Sequence, residues 1–167
     1  MGDLDLAQLR REIRAARRAV SPAERERISH ATAATVYDWL QTRPALRRIA
    51  TFRSLPEEID TAPLNQLLWR NGYHLYLPYV AGKGRPLAWC PYTESTPLVP
   101  DTARIPAPDP AAAPAIAALD LDVVITPLVA HDAHGTRLGM GGGFYDRTFQ
   151  RKIPRARPWL IGIAYPC

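Results

Sequence analysis

Apolar positions recur at three- and four-residue steps early in the chain and in short unbroken runs later, and this change of period sets the predicted elements. Leu6, Leu9, Ile13, Ala16 and Val20 mark one face of a helix, with Arg10, Arg11, Arg14, Arg17 and Arg18 on its solvated faces. Ser21-Pro22-Ala23-Glu24 opens a second helix, predicted to run to about Leu40. There Ser21 accepts from the third amide, Pro22 fits the first turn and Glu24 completes a capping box. Ile49-Ala50-Thr51-Phe52 reads as a buried strand, and Thr61-Ala62-Pro63 opens a third helix closed by Asn71-Gly72. Further strands are predicted over residues 73–77, stopped by Pro78, over 87–90 at a sheet edge, over 122–126 and over 159–165. Six prolines between Pro97 and Pro114 predict a long ordered loop without regular structure. Strands alternating with helices imply one three-layer α/β/α domain over residues 1–167, with a mainly parallel, Rossmann-like sheet and ligands at the strands' carboxyl ends.

Composition narrows the partners. A chain of 167 residues, 47% hydrophobic, is long enough for one sizeable core. Its net charge of +5 suits an anionic ligand such as a nucleotide, and would also suit nucleic acid. No aromatic signature of RNA binding accompanies the arginines, so nucleic acid is the weaker expectation. Cys90 and Cys167 have neither paired spacing nor metal-ligand neighbours, which predicts free thiols and a reducing compartment. With no signal-peptide core and no membrane-length apolar run, the expectation is a cytoplasmic protein, monomeric and without membrane partners.

The stretch Arg137-Leu138-Gly139-Met140-Gly141-Gly142-Gly143-Phe144-Tyr145-Asp146-Arg147 carries the candidate chemistry. Glycines at a loop-to-helix junction let successive backbone N–H groups converge on an anion, and the helix dipole adds to them. Arg137 and Arg147 supply planar forks for phosphate oxygens, and Asp146 a hard carboxylate suited to Mg²⁺. No Gly-Lys-Ser/Thr follows, and the glycine spacing does not match the dinucleotide pattern, so another design of ATP site is implied. The polar stretch of residues 53–61 follows the 49–52 strand as the glycine motif follows the 122–126 strand, and the two loops are expected to face one crevice. His131, Asp132 and His134 resemble a metal cluster, but zinc wants further ligands and only His30 and His74 lie elsewhere.

The glycine motif, Glu58-Ile59-Asp60-Thr61, Leu77-Pro78, and Asp122 through Pro127 leading to Asp132-Ala133-His134-Gly135 together resemble the 5-formyltetrahydrofolate cyclo-ligase family, in order over nearly the whole chain. The resemblance implies an enzyme that uses MgATP to convert 5-formyltetrahydrofolate, possibly polyglutamated, into 5,10-methenyltetrahydrofolate, releasing ADP and phosphate. The formyl oxygen would be phosphorylated and N10 would close the ring. Arg137 and Tyr145 would be catalytic. Arg10, Arg14, Arg137, Leu138, Gly139, Met140, Gly141, Gly142, Gly143, Phe144 and Tyr145 would hold ATP. Arg53, Glu58, Met140, Gly141, Gly142, Gly143 and Phe144 would hold the folate, and Asp146 would bind Mg²⁺. Glu58 could instead cap the third helix, and Phe144 or Tyr145 could serve the core. The family pattern has a lysine at position 6, where this chain has Leu6, often a lysine where it has Gly142, and a further strand with a second metal-binding aspartate beyond Tyr165. These departures predict reduced activity, with a weakly active or inactive nucleotide- and folate-binding protein as the alternative.

Overall fold

A computed structural model describes residues 5–139, 143–150 and 156–166. The expected sites at Met140, Gly141 and Gly142 therefore lie outside the described residues. Helix α1 (Leu6–Arg18) is capped by Asp5, whose carboxylate accepts from Ala7 N and Gln8 N. Helix α2 (Pro22–Gln41) starts as predicted at Ser21, whose hydroxyl accepts from Glu24 N at 3.3 Å. The capping box is only half made: Glu24 instead receives both forks of Arg27, at 2.8 and 2.6 Å. Then come β1 (Arg48–Ala50), α3 (Ala62–Arg70), β2 (His74–Tyr79) and β3 (Ala88–Tyr92). Helix α3 ends as predicted, with Asn71 as C-cap and Gly72 at φ 74°.

Two expectations are corrected. Strand β2 runs through Pro78. The last β1 partner is Ala50 opposite Tyr76, whose carbonyl accepts from Thr51 N, so two residues on Pro78 faces the side where β1 has ended and needs no N–H. The proline-rich stretch is also regular in part, because β4 (Leu98–Pro100) and β5 (Pro106–Pro108) pair antiparallel. Buried Asp101 closes their turn: one carboxylate oxygen accepts from Ala103 N and Ile105 N, and the other from Val80 N. Prolines are tolerated because this ribbon has no further strand to bond.

The remaining elements are β6 (Val123–Pro127), the short pair β7 (Ala130–His131) and β8 (Arg137–Leu138), helix α4 (Phe144–Phe149) and β9 (Trp159–Ile163). The β7–β8 hairpin is too short to show a strand pattern in the sequence. The main sheet has the order β3-β2-β1-β6-β9, with β2, β1, β6 and β9 parallel and β3 antiparallel at one edge.

Side chains alternate across this sheet as strand geometry requires. Ile49, Leu75, Val123 and Ile125 meet Ala33, Val36 and Leu40 of α2 and Leu64 and Leu68 of α3. Ala50, Val124 and Leu160 face the other way, with Trp89 and with Phe144, Tyr145 and Phe149 of α4. Helices thus cover both faces of a mainly parallel sheet, the expected α/β/α arrangement. Among the described residues no helix is long and apolar enough to cross a membrane.

Candidate active site

Helix α1 lies across the carboxyl ends of the parallel strands, and three of its arginines fix it there. Arg10, Arg14 and Arg17 follow one another at four and three residues, which puts them on one helical face. Each reaches a different loop. Arg10 Nε donates to Gly139 O at 2.8 Å. Arg14 donates through Nε at 2.7 Å, and through Nη2 as well, to Glu57 Oε1. Arg17, only 2% exposed, donates through Nη2 to Leu128 O at 2.7 Å and Val129 O at 2.5 Å. Arg17 is thus a buried rim anchor and not the solvated charge expected of it. Its spacing from Arg10 was the available sequence signal.

The glycine motif meets α4 through Gly143, which holds φ 69° immediately before the helix. A Cβ there would lie 3.0 Å from Arg147 Nη1, so both conformation and space favour glycine. The helix places Phe144 and Tyr145 partly in the core, as considered from sequence, with the Tyr145 ring 6.2 Å from that of Trp89. Burial pushes the Tyr145 phenol well up; the negative charge of Glu58 adds to this and Arg137 opposes it. Tyr145 therefore stays protonated near neutral pH and is chemically a donor.

Arg137 stands between these groups. Its guanidinium lies 5.9 Å from the Tyr145 ring centroid, and its Nη2 is 3.1 Å from Asp146 Oδ1. The Arg137 side chain is 19% exposed and that of Asp146 81%, so the carboxylate keeps most of its surface for other contacts. Both line a cavity of about 780 Å³ at the carboxyl ends of β6 and β9, with Thr126, Thr136, Gln150 and Gly162. This volume lies in the range of small-molecule sites. Gly162 is there because Leu128 is: a Cβ would fall 2.1 Å from Leu128 Cδ2.

The 53–61 loop divides between two places. Glu58 faces the α1 and α4 side: its carboxyl accepts from Leu55 N at 2.8 Å, and burial raises its pKa against the lowering charges of Arg17 and Arg14. Tyr165 Oη donates to the Glu58 carbonyl at 3.2 Å. Glu58 does not cap α3: the N-cap is Thr61, which makes no side-chain cap bond, and Asp60 Oδ1, one residue earlier, accepts from Ala62 N at 2.9 Å. For Glu57, burial pushes the carboxyl up, but the Arg14 hydrogen bond and charge outweigh it and hold it below the usual range. Arg53 instead lines a second cavity, of about 580 Å³, with Thr61, Asn65, Trp69, Tyr92 and Glu94. The single crevice expected for both loops is not formed: Arg53 lines the second cavity, and no residue of 53–61 lines the larger one.

Asp132 serves the β7–β8 turn, its Oδ1 accepting from His134 N at 2.8 Å and Thr136 N at 2.9 Å. Among the described residues no group of three or more His, Cys, Asp or Glu side chains is placed to hold a metal. Asp146 fits Mg²⁺ differently, as a single exposed carboxylate on the wall of the larger cavity, since Mg²⁺ commonly takes one or two carboxylates and completes its shell with phosphate and water. Sequence reading missed Glu57, Arg17 and Arg25 as parts of this rim. Arg25 Nη1 donates to Pro56 O at 2.8 Å and to Tyr165 Oη at 3.2 Å.

Comparison with known proteins agrees with this architecture. The profile of the 5-formyltetrahydrofolate cyclo-ligase family matches residues 5–167. The chain is 37% identical over 160 residues to the 5-formyltetrahydrofolate cyclo-ligase of Escherichia coli K12, covering 93% of this chain and 85% of that protein. It is 33% identical over 166 residues to the enzyme of the same name from Haemophilus influenzae, with 96% and 85% covered. The solved structure of Aquifex aeolicus 5,10-methenyltetrahydrofolate synthetase superposes with a TM-score of 0.76 at 25% identity, covering 97% of this chain and 78% of that one. A Mycoplasma pneumoniae 5,10-methenyltetrahydrofolate synthetase, at 21% identity and a TM-score of 0.73, shares the fold over 97% of this chain and 86% of that one.

Proposed function

The chain belongs to the 5-formyltetrahydrofolate cyclo-ligase family, and from that premise we propose that it is a ligase that spends MgATP to close 5-formyltetrahydrofolate to 5,10-methenyltetrahydrofolate. The observation that carries this reading is Arg137, held between the Tyr145 ring and the Asp146 carboxylate on the wall of the larger cavity.

The chemistry has two stages. The N5-formyl oxygen attacks the γ-phosphorus of ATP, and ADP leaves. N10 then attacks the activated formyl carbon, the C–O bond breaks, and phosphate departs with the former formyl oxygen. Such transfers depend on alignment and charge neutralisation more than on covalent help from the protein. Arg137 supplies a fixed positive fork for the transferred group. Arg10 holds the Gly139 carbonyl, at the start of the glycine run. Asp146 would hold Mg²⁺, which when bound neutralises phosphate charge.

Glu58 and Tyr145 suit the folate end, one as an acceptor of pterin N–H groups and the other as a hydroxyl donor. The test is absorbance at the methenyl-folate band after mixing protein, MgATP and 5-formyltetrahydrofolate, with ATP omitted as control. A rise only with ATP is expected, and a flat trace with ATP bound would reject the assignment.

A further inference from the structure

Arg17 has no part in the chemistry above, yet its side chain is one of the most deeply buried charged groups of the rim, at 2% exposure. Burying a guanidinium is costly, and an apolar side chain would fill the space with less penalty. What Arg17 holds is specific. Its Nη2 donates to the carbonyls of Leu128 and Val129, and its Nε has no hydrogen-bond partner among the described residues. Val129 N in turn donates to Leu138 O at 2.7 Å, one residue from Arg137. On the other side, the Arg17 charge lies within electrostatic reach of the Glu58 carboxyl. Arg25 donates to the Arg17 carbonyl and to Pro56 O in the Glu58 loop, which fixes the helix end that carries Arg17.

We propose that Arg17 is a positioning residue: one buried cation that fixes the Leu128–Val129 carbonyls, and through them Arg137, relative to the loop that carries Glu58. The phosphate-facing and folate-facing halves of the site are then held in register from a single point on α1. The proposal rests on the cyclo-ligase reading for its kinetic consequences and on geometry alone for its structural ones. The charged and titratable groups that face Glu58 among the described residues are Arg14 and Arg17 from α1, Glu57 from its own loop, Tyr145 from α4 and Tyr165 after β9, whose hydroxyl donates to the Glu58 carbonyl.

Three variants decide it: Arg17→Lys, Arg17→Gln and Arg17→Gln combined with Glu58→Gln. Lysine keeps the charge but loses the planar fork. With it, the carbon-13 NMR titration of the Glu58 carboxyl should stay at the wild-type midpoint while kcat/KM for 5-formyltetrahydrofolate falls about tenfold. Glutamine removes the charge. The Glu58 midpoint should then rise by about one pH unit, and the acid limb of kcat/KM should move up with it. In the Glu58→Gln background that movement should vanish.

Equal losses in both single variants, with an unmoved titration, would reduce Arg17 to a packing role and overturn the proposal. Should Arg17→Gln not fold, as judged by circular dichroism, full activity in Arg17→Lys would overturn it equally. A wild-type chain that forms no methenyl-folate would reject the cyclo-ligase reading, while the NMR titration would still decide whether Arg17 holds Glu58.

Discussion

The Nε–H of Arg10 points at the carbonyl of Gly139, 2.8 Å away and 129 residues further along the chain. A helix at the beginning of the fold is thereby tied to Gly139, the first glycine of the motif. Arg10→Ala should leave the fold intact and raise the KM for ATP about tenfold, with a smaller change for the folate, if Gly139 opens the ATP-holding stretch as proposed. Initial-rate kinetics in both substrates check this. An unchanged KM for ATP would make the contact merely structural.

Arg137 and Asp146 should separate kinetically. Arg137→Ala removes the fixed cation, so the KM for ATP should rise more than that for 5-formyltetrahydrofolate. Asp146→Asn keeps size and most hydrogen bonding but weakens Mg²⁺ binding, so turnover should fall by about two orders of magnitude or more. Raising the Mg²⁺ concentration should restore part of it. Turnover equal to wild type in Asp146→Asn would take Asp146 out of the site.

Gly162→Ala tests the wall of the larger cavity. The added methyl would lie 2.1 Å from Leu128 Cδ2, so the buried Leu128 side chain must leave its packed rotamer and turn into the cavity it lines. A loss of about 1–3 kcal/mol in urea unfolding is expected. A neutral result would mean that Leu128 repacks freely.

The Arg14–Glu57 pair gives a pH dependence with a definite sign. The folded-state pKa of Glu57 is lowered, so its stabilisation is present above the ordinary carboxylate pKa and is lost as pH falls through the folded value. The Arg14 side chain is 40% exposed, which limits the pair to about 1 kcal/mol. Arg14→Ala should therefore melt a few degrees below wild type at neutral pH, and the gap should close below about pH 4. A gap that widens on acidification would contradict the sign.

Much of this was legible along the chain. The starts of α2 and α3, the Gly72 stop and the apolar runs of β1, β6 and β9 are local signals, fixed by turn chemistry and by periods of 3.6 and 2. The motif from Arg137 to Arg147 was legible because its glycines, arginines and acid are adjacent in sequence. Pro78 and the β4–β5 ribbon were misread because the cost of a proline depends on whether a neighbouring strand needs its N–H, which only the register shows.

By itself the sequence determined the α/β alternation, the family and the residues of the glycine motif, because each is carried by neighbours in the chain. Only the tertiary structure decided which charges work together. Arg10, Arg14 and Arg17 look alike on a helical wheel, yet one meets a glycine carbonyl, one a carboxylate and one a pair of buried carbonyls. Arg53 and Glu58 lie five residues apart, yet Arg53 lines the second cavity while the Glu58 charge acts on Tyr145. A side chain's partner is set by what the sheet and loops bring within about 3 Å of it, and separations of 43 to 129 residues leave no local trace.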